Sequence, residues 1–251
     1  MRLTTIGTGS VPPSPTRVNP GHLVEAGPVR LLMDCGSGVV HRMATLGLGW
    51  AGVTHVALTH FDQDHTSDLA ALFLAWRYGQ LPPRAEPVTV LGPPGTRARL
   101  ELIAAALWDK LLAPGYPVHV HELPAGGTVA LGDATLRSYK VPHTAESVAY
   151  SVEHGGRRLV YTGDTASDEA LGVWAAGCDL LLAECSLPEE MAVASHLTPE
   201  RVGRLAAAAG AARLVLTHFY PPVERVDVRA LVARHNDGPV ELAHDGWQTD
   251  V

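Results

Sequence analysis

The sequence predicts one α/β domain, spanning residues 1–251, in which two β-sheets pack together and helices cover their outer faces. Two observations support this fold class. The chain has 251 residues, of which 46% are hydrophobic, enough for one large domain with a substantial core. Strands and helices alternate in the first and last thirds, whereas short β segments fill the middle. No repeat of fixed period, low-complexity tract or linker divides the chain.

The middle segments are predicted to form an antiparallel meander, because glycine and proline separate them at short intervals. Before the meander we predict strands at 2–6, 21–26, 29–34, 53–58 and 88–91, and helices at 38–47, 67–78 and up to about 110. The meander itself comprises 117–122, 128–131, 134–141, 147–153 and 157–162. After it we predict strands at 179–183, 213–217 and 239–243, and helices at 167–176, 199–209 and 223–234.

Composition excludes several classes of partner. The formal net charge is −7, and the 19 basic residues are scattered in runs of no more than two, which argues against a large nucleic acid or a membrane surface. The three cysteines, Cys35, Cys178 and Cys185, form no C-x-x-C pair, so we interpret them as small packing residues. Neither a signal peptide nor an apolar run of about 18 residues is present, so we expect a cytoplasmic protein.

A dense polar segment, Thr59–Asp68, follows the predicted strand at 53–58. In an extended loop the side chains of His60, Asp62 and Asp64 point the same way, and His65 points elsewhere. Imidazole and carboxylate groups at this density suit Zn²⁺ or a similar divalent cation, and two divergent sets predict two cations. A helix cap would need only one polar side chain, so it does not account for four.

Three more polar residues, His143, Asp164 and His218, each follow a predicted strand. A strand end places its side chain at the rim of a sheet, where the active sites of α/β proteins commonly lie. Together with the segment at 59–68, four predicted strand ends are followed by histidine or aspartate. We therefore predict that these side chains meet in one site.

The pattern resembles the metallo-β-lactamase superfamily, whose motif T-H-x-H-x-D-H is followed by a His, an Asp in a G-D-T-like turn and a late His. This chain has Thr59–His65 (T-H-F-D-Q-D-H), His143, Gly163-Asp164-Thr165 and Thr217-His218. It is most similar to the ribonuclease Z-like branch, which includes bacterial phosphodiesterases, at Gly7–Ser10, Asp34–Gly38, Gly92–Gly95, Tyr161–Thr165 and Ser195–Thr198. The resemblance implies a four-layer αββα sandwich of two mixed β-sheets with helices on the outer faces.

The resemblance also implies two divalent cations, Zn²⁺ first, with Mn²⁺ or Fe²⁺ as alternatives. One would be held by His60, Asp62 and His143, the other by Asp64, His65 and His218, and Asp164 would bridge them. The family usually has histidine where this chain has Asp62. Because carboxylate is harder and more anionic than imidazole, that site is expected to favour Mn²⁺ or Fe²⁺ or to hold its cation more weakly. Alternatively, Asp62 binds no cation.

Two divalent cations that share a water lower its pKa towards neutrality and neutralise charge on a phosphodiester, so we predict a dinuclear metal-dependent hydrolase. Asp64 and His196 are its predicted catalytic residues. His196 stands in an H-x-T context typical of the branch and would protonate the leaving group. Alternatively, His196 has no catalytic role and only precedes Thr198 at the entry to the next helix. Glu184 either orients an imidazole or pairs with the backbone.

The predicted substrate is a small phosphodiester. Only twenty residues separate His143 from Asp164, which leaves no room for the protruding arm on which tRNA processing by ribonuclease Z relies. Hydrolysis of a thioester, lactone or sulfate ester stays open, because the fold does not decide among them. A third hypothesis is that the protein binds metal without catalysing hydrolysis, or acts in cofactor biosynthesis. A homodimer is suggested by the branch resemblance alone.

Overall fold

The computed structural model describes all 251 residues and contains fourteen strands and seven α-helices. The first-half elements are β1 (Arg2–Gly7), β2 (Gly21–Ala26), β3 (Val29–Met33), α1 (Val39–Thr45), β4 (His55–Ala57), α2 (Gln63–Thr66), α3 (Leu69–Tyr78), β5 (Val88–Gly92), α4 (Thr96–Leu107) and β6 (Val118–Glu122). The second-half elements are β7 (Thr128–Leu131), β8 (Ala134–Lys140), β9 (Val148–His154), β10 (Arg157–Tyr161), α5 (Glu169–Trp174), β11 (Leu180–Glu184), α6 (Pro199–Ala209), β12 (Leu214–Thr217), α7 (Val228–Ala233), β13 (Val240–Leu242) and β14 (Trp247–Asp250).

The strands form two seven-stranded mixed sheets. The first has the order β14-β1-β2-β3-β4-β5-β6, and the second has the order β13-β12-β11-β10-β9-β8-β7. In the first sheet β1, β2 and β3 pair antiparallel, and β3 to β6 pair parallel. The second sheet repeats this plan, since β7 to β10 are antiparallel and β10 to β13 are parallel.

Three apolar layers separate the sheets and the helices, because successive side chains of a strand point to opposite faces. Leu31 and Met33 of β3 face the other sheet, whereas Leu32 faces the helices. The layer between the sheets contains 21 buried residues. A second layer packs α1, α3 and α4 on the first sheet, and a third packs α5, α6 and α7 on the second. The predicted four-layer αββα sandwich is confirmed.

Local signals set several element boundaries. Helix α6 begins as predicted, with the Thr198 hydroxyl accepting a hydrogen bond from the Arg201 amide and Pro199 in the first turn. Such an N-cap contributes about 1 kcal/mol to helix stability. Gly210, at φ 53°, ends the same helix. The longest helix, α4, has 12 residues, and no helix has the length and apolar character needed to span a bilayer.

Two predictions about elements are wrong, and one strand was missed. The segment at 117–122 does not join the meander, because β6 pairs parallel with β5 in the first sheet. The helix predicted at 223–234 is interrupted: a short 3₁₀ turn at Val223–Arg225 precedes α7. Strand β14 was not predicted at all. It pairs antiparallel with β1 and is an edge strand of the first sheet.

Candidate metal centre

The predicted site residues follow strands that end at one edge of the sandwich. His60 lies just after β4, Asp164 after β10 and His218 after β12. Strands β10, β11 and β12 are parallel, so their carboxyl ends share an edge. Strand β8, which precedes His143, runs in the same direction as β10 because β9 is antiparallel to both. Topology therefore brings together residues that are up to about 160 positions apart in sequence.

Asp164 lies at the centre of the cluster. Its Oδ1 is 3.3 Å from His65 Nε2, and its Oδ2 is 3.3 Å from His218 Nε2. The same Oδ2 is 4.0 Å from Nε2 of both His60 and His143. The turn that carries Asp164 requires glycine at position 163. The φ of Gly163 is 57°, and a Cβ there would lie too close to Thr59 Cβ, at 2.9 Å. One carboxylate thus faces four imidazole Nε2 atoms.

The remaining residues divide into two groups around Asp164. The outer group is His60, Asp62 and His143, and the Asp62 Oδ2 lies 3.5 Å and 3.3 Å from the two imidazole Nε2 atoms. The inner group is Asp64, His65 and His218, and the Asp64 Oδ2 lies 3.8 Å and 3.4 Å from the two imidazole Nε2 atoms. The structure therefore brings all seven predicted ligands together.

The geometric reason given for this convergence from the sequence was wrong. The segment is not extended, since Gln63–Thr66 forms the single helical turn α2. The turn places Asp64 with His65 and His218, and leaves Asp62 with His143. His65 also does not point elsewhere, because its ring centroid is 4.1 Å from that of His60. The helical turn, and not strand alternation, separates the two carboxylates.

Each of the four histidines binds an outer partner through Nδ1. His65 Nδ1 donates to the Asp34 carboxylate at 2.9 Å, and His143 Nδ1 donates to the Ser195 carbonyl at 3.1 Å. His60 Nδ1 lies 2.9 Å from the Thr59 hydroxyl. That hydroxyl donates its proton to Asp34 and so accepts from the imidazole. These bonds fix the Nδ1–H tautomer.

His218 is held in the same way by Ser186. The Ser186 hydroxyl donates to the buried Glu184 carboxylate, so it accepts from His218 Nδ1 at 2.9 Å. With Nδ1 engaged by an outer acceptor in all four rings, every Nε2 faces the cluster. Metal-binding histidines in proteins are oriented by such outer hydrogen bonds.

Several buried atoms of the cluster have no partner in the chain. His60 Nε2, His65 Nε2 and Asp164 Oδ1 accept or donate no hydrogen bond, although burial without a partner is costly. The carboxylates of Asp62, Asp64 and Asp164 add negative charge that no lysine or arginine balances by an ion pair. Nitrogen and carboxylate donors around uncompensated negative charge fit divalent cations.

The carboxylates and imidazoles of the cluster shift one another's pKa values. Burial alone would lower the pKa of His65, but the carboxylates of Asp164 and Asp34 outweigh it and raise that pKa well above its ordinary value. Burial alone would raise the pKa of Asp164, yet the imidazoles of His218 and His65 lower it well below the usual range. The raised pKa of His65 shows that the carboxylates around it favour positive charge at this point of the site.

Asp62 is the most solvent-accessible member of the cluster. Its side chain is 52% exposed, whereas the His60 side chain is fully buried. The neighbouring imidazoles of His60 and His143 hold the pKa of Asp62 well below its usual range, which keeps the carboxylate ionised. Asp62 therefore has the charge and the position of a ligand, in a more hydrated setting than the other carboxylates.

His196 lies beside the cluster and is paired with Glu184. Its Nδ1 is 3.0 Å from Glu184 Oε2, and its ring stacks on that of His218 at 5.6 Å between centroids. Burial lowers the pKa of His196, but the Glu184 carboxylate reverses this and raises the pKa to about 9. Glu184 therefore orients an imidazole, and it also pairs with the backbone, since it accepts a hydrogen bond from the Thr165 amide at 2.5 Å. His196 thus carries a proton near the site.

Two supporting residues were missed from the sequence. Asp34 is fully buried and accepts hydrogen bonds from Thr59, His65 and the Tyr161 hydroxyl. It follows the buried strand β3, so the strand-end signal that found His143 could have found it. Asp34 and His218 are also the only residues other than glycine with positive φ, at 58° and 60°. Such backbone conformations cost about 1–3 kcal/mol each and cluster at functional sites. Ser186 carried no comparable sequence signal.

Comparison with known proteins identifies the fold and the family. A family profile described as the β-lactamase superfamily domain matches residues 29–219. A protein named ribonuclease Z from Mycobacterium bovis (strain BCG / Pasteur 1173P2) is 30% identical over 275 aligned positions, which cover 100% of this chain and 98% of the relative.

Two solved structures share the fold. The metallo-β-lactamase fold protein YhfI from Bacillus subtilis superimposes with a TM-score of 0.86 at 23% identity, over 99% of this chain and 98% of that one. Human tRNase Z, short form, gives a TM-score of 0.81 at 22% identity, over 100% and 99% of the two chains. The chain therefore belongs to the metallo-β-lactamase superfamily, in its ribonuclease Z-like branch.

Proposed function

We propose that this chain is a dinuclear metal-dependent phosphodiesterase that acts on small phosphodiesters. Its family is one of metal-dependent hydrolases. The observation that carries the proposal is the convergence of four imidazole Nε2 atoms on the Asp164 carboxylate, with every Nδ1 engaged by an outer partner. A merely structural histidine cluster would not need one common tautomer.

In this proposal the outer group (His60, Asp62, His143) holds one cation, the inner group (Asp64, His65, His218) holds the other, and Asp164 serves both. Zn²⁺ suits the imidazole-rich donor set. The carboxylate of Asp62 is a harder ligand than imidazole, so the outer group favours Mn²⁺ or Fe²⁺. Bound divalent cations supply nucleophile activation at neutral pH and neutralisation of phosphoryl charge.

The side chains supply the proton transfers. His196 Nδ1 is tied to Glu184, so the ring presents its Nε2 to the site. With its pKa raised to about 9, the ring keeps a proton at neutral pH and donates it to the departing alkoxide. Asp64, which is 9% exposed at the edge of the cluster, contributes a ligand oxygen and accepts a proton from the attacking water. These are the roles of the two catalytic residues.

The preference for a small substrate is supported by the short segment between His143 and Asp164. Between His143 and Asp164 there are only β9, β10 and a turn at Gly155-Gly156. Nothing protrudes there to bind a folded RNA. The homodimer suggested from the sequence stays a prediction.

A substrate panel tests the proposed function. Metal-free protein is loaded separately with Zn²⁺ and Mn²⁺ and assayed on bis(4-nitrophenyl) phosphate, cyclic nucleotides, a precursor tRNA, thioesters, lactones and an aryl sulfate. We expect turnover of the small phosphodiesters and little cleavage of the tRNA. Turnover of the acyl or sulfate esters alone would contradict the phosphodiesterase assignment, and efficient tRNA cleavage would contradict the small-substrate assignment.

A further inference from the structure

Tyr220 is the one partly buried tyrosine whose hydroxyl has no partner in the chain. The protein has six tyrosines, and four of them donate to a carbonyl or carboxylate oxygen, namely Tyr116, Tyr139, Tyr150 and Tyr161. The fifth, Tyr78, is 64% exposed, so water can satisfy its hydroxyl. Because tyrosine hydroxyls away from bulk water usually have a partner, the free hydroxyl of Tyr220 is available to a ligand.

The ring of Tyr220 lies against two imidazoles of the site. Its centroid is 6.0 Å from that of His196 and 5.9 Å from that of His218, and it meets both rings edge to face. Burial and the carboxylates of Asp164 and Asp64 raise the pKa of Tyr220 to about 12, so its hydroxyl lies near the cluster. A phosphoryl group that the cluster binds and His196 protonates must lie between these two imidazoles. The Tyr220 hydroxyl therefore faces that position.

The backbone around Tyr220 is firmly held. The Tyr220 amide donates to the Ser186 carbonyl at 3.1 Å, and the Phe219 amide donates to the Thr8 carbonyl at 2.9 Å. Two prolines follow Tyr220 and restrict the backbone further. A donor on such a segment needs little reorganisation when charge develops beside it, which makes its hydrogen bond more effective in a transition state.

We propose that Tyr220 is a catalytic residue that donates a hydrogen bond to a non-bridging oxygen of the phosphoryl group. The inference rests on the proposed phosphodiesterase function and adds a residue to its site. A phenol keeps its proton at neutral pH, so it acts as a donor and no bond is broken at Tyr220. Charge in the transition state is spread over the non-bridging oxygens, whereas the leaving oxygen takes its proton from His196.

The test is Tyr220→Phe, which keeps the ring against both imidazoles and removes the hydroxyl alone. We expect kcat/KM to fall about 10- to 100-fold, the value of one hydrogen bond to a charged group. The loss should be the same for a 4-nitrophenyl diester and an alkyl diester, because the contacted oxygen does not leave. Calorimetry should show orthovanadate, which mimics the five-coordinate transition state, binding more weakly by the same factor.

The matched control is Tyr78→Phe, which removes the other free tyrosine hydroxyl, on α3, and should leave kcat/KM unchanged. Metal content per chain and the free energy of unfolding are measured for both variants, and we expect wild-type values. Wild-type kinetics in Tyr220→Phe, a loss confined to the alkyl diester, or a loss of bound cations overturns the assigned role. Hydrolysis of neither diester by the wild type contradicts the phosphodiesterase function itself.

Discussion

The two groups of the candidate metal centre differ in how far the protein encloses them. In the inner group the side chains of Asp64, His65 and His218 are at most 10% exposed. In the outer group the histidines are similarly buried, but the Asp62 carboxylate is 52% exposed. Water already stabilises an exposed charge, whereas a buried carboxylate has no such compensation. The inner group therefore gains more from a cation, and we expect it to bind first and more tightly.

The two groups also differ in how firmly their members are supported. His65 and His218 are held through the buried carboxylates of Asp34 and Glu184, the second by way of Ser186. In the outer group His60 is held through Thr59 on the same Asp34, His143 is held by a backbone carbonyl, and Asp62 has no support apart from the two imidazoles. The difference indicates that the inner group is rigidly built, whereas the outer group is adjustable at Asp62.

The largest effect is expected at the residue that the two groups share. Asp164→Ala should reduce phosphodiesterase kcat/KM by roughly 1,000-fold and lower the metal content of both groups, because several kcal/mol of transition-state stabilisation depend on the cations. Steady-state kinetics and elemental analysis measure the two effects. Asp133→Ala, at an exposed aspartate, is the control. Retention of two cations and most of the activity would show that Asp164 does not join the groups.

His196 contacts both groups, since its ring lies 5.0 Å from that of His143 and 5.6 Å from that of His218. His196→Ala should slow hydrolysis of an alkyl diester by about 100-fold, but that of a 4-nitrophenyl diester much less, because a good leaving group needs no proton. His121→Ala, on the exposed face of β6, is the control. Equal losses on both substrates would remove His196 as the acid and leave it a structural neighbour.

Outer hydrogen bonds allow the inner group to be weakened by itself. Ser186→Ala removes the acceptor of His218 Nδ1 and should weaken the tighter cation about 10- to 100-fold. Thr59→Val removes the acceptor of His60 Nδ1 and also a donor to Asp34, which holds His65, so it should weaken both cations. Competition with a chromophoric chelator measures both constants. If Ser186→Ala weakens both cations equally, the division into two groups is wrong.

The smallest expected effect concerns Asp62. Asp62→His replaces an exposed carboxylate with the imidazole that the family usually has, and should tighten Zn²⁺ at the outer group about 10-fold relative to Mn²⁺. Asp62→Asn serves as the matched variant that keeps the shape but removes the charge. Metal titrations of the three proteins measure the change. Unaltered affinity in both variants would mean that Asp62 binds no cation.

The sequence predicted the two packed sheets with outer helices, and it predicted the seven residues that cluster. Both predictions rest on local signals, namely the ends of apolar strands and the order of the motifs. Thr59–His65, His143, Asp164 and His218 each follow an apolar run that is legible without the structure. The helical turn α2 was missed because four residues of mixed propensity form it, and tertiary contacts such as the Cys35 amide to the His65 carbonyl stabilise it. The roles of Ser186 and β14 depend on pairing with distant segments, which no local pattern reveals.

We expect one chain to hold two cations of unequal affinity, one in each group. The most direct test is the molar ratio of Zn²⁺ to protein, measured by elemental analysis across a series of chelator-buffered free Zn²⁺ concentrations. We expect the ratio to rise to one, for the inner group, and then to two at higher free Zn²⁺, for the outer group. A ratio that never exceeds one at saturation, or a single step directly to two, would contradict this account.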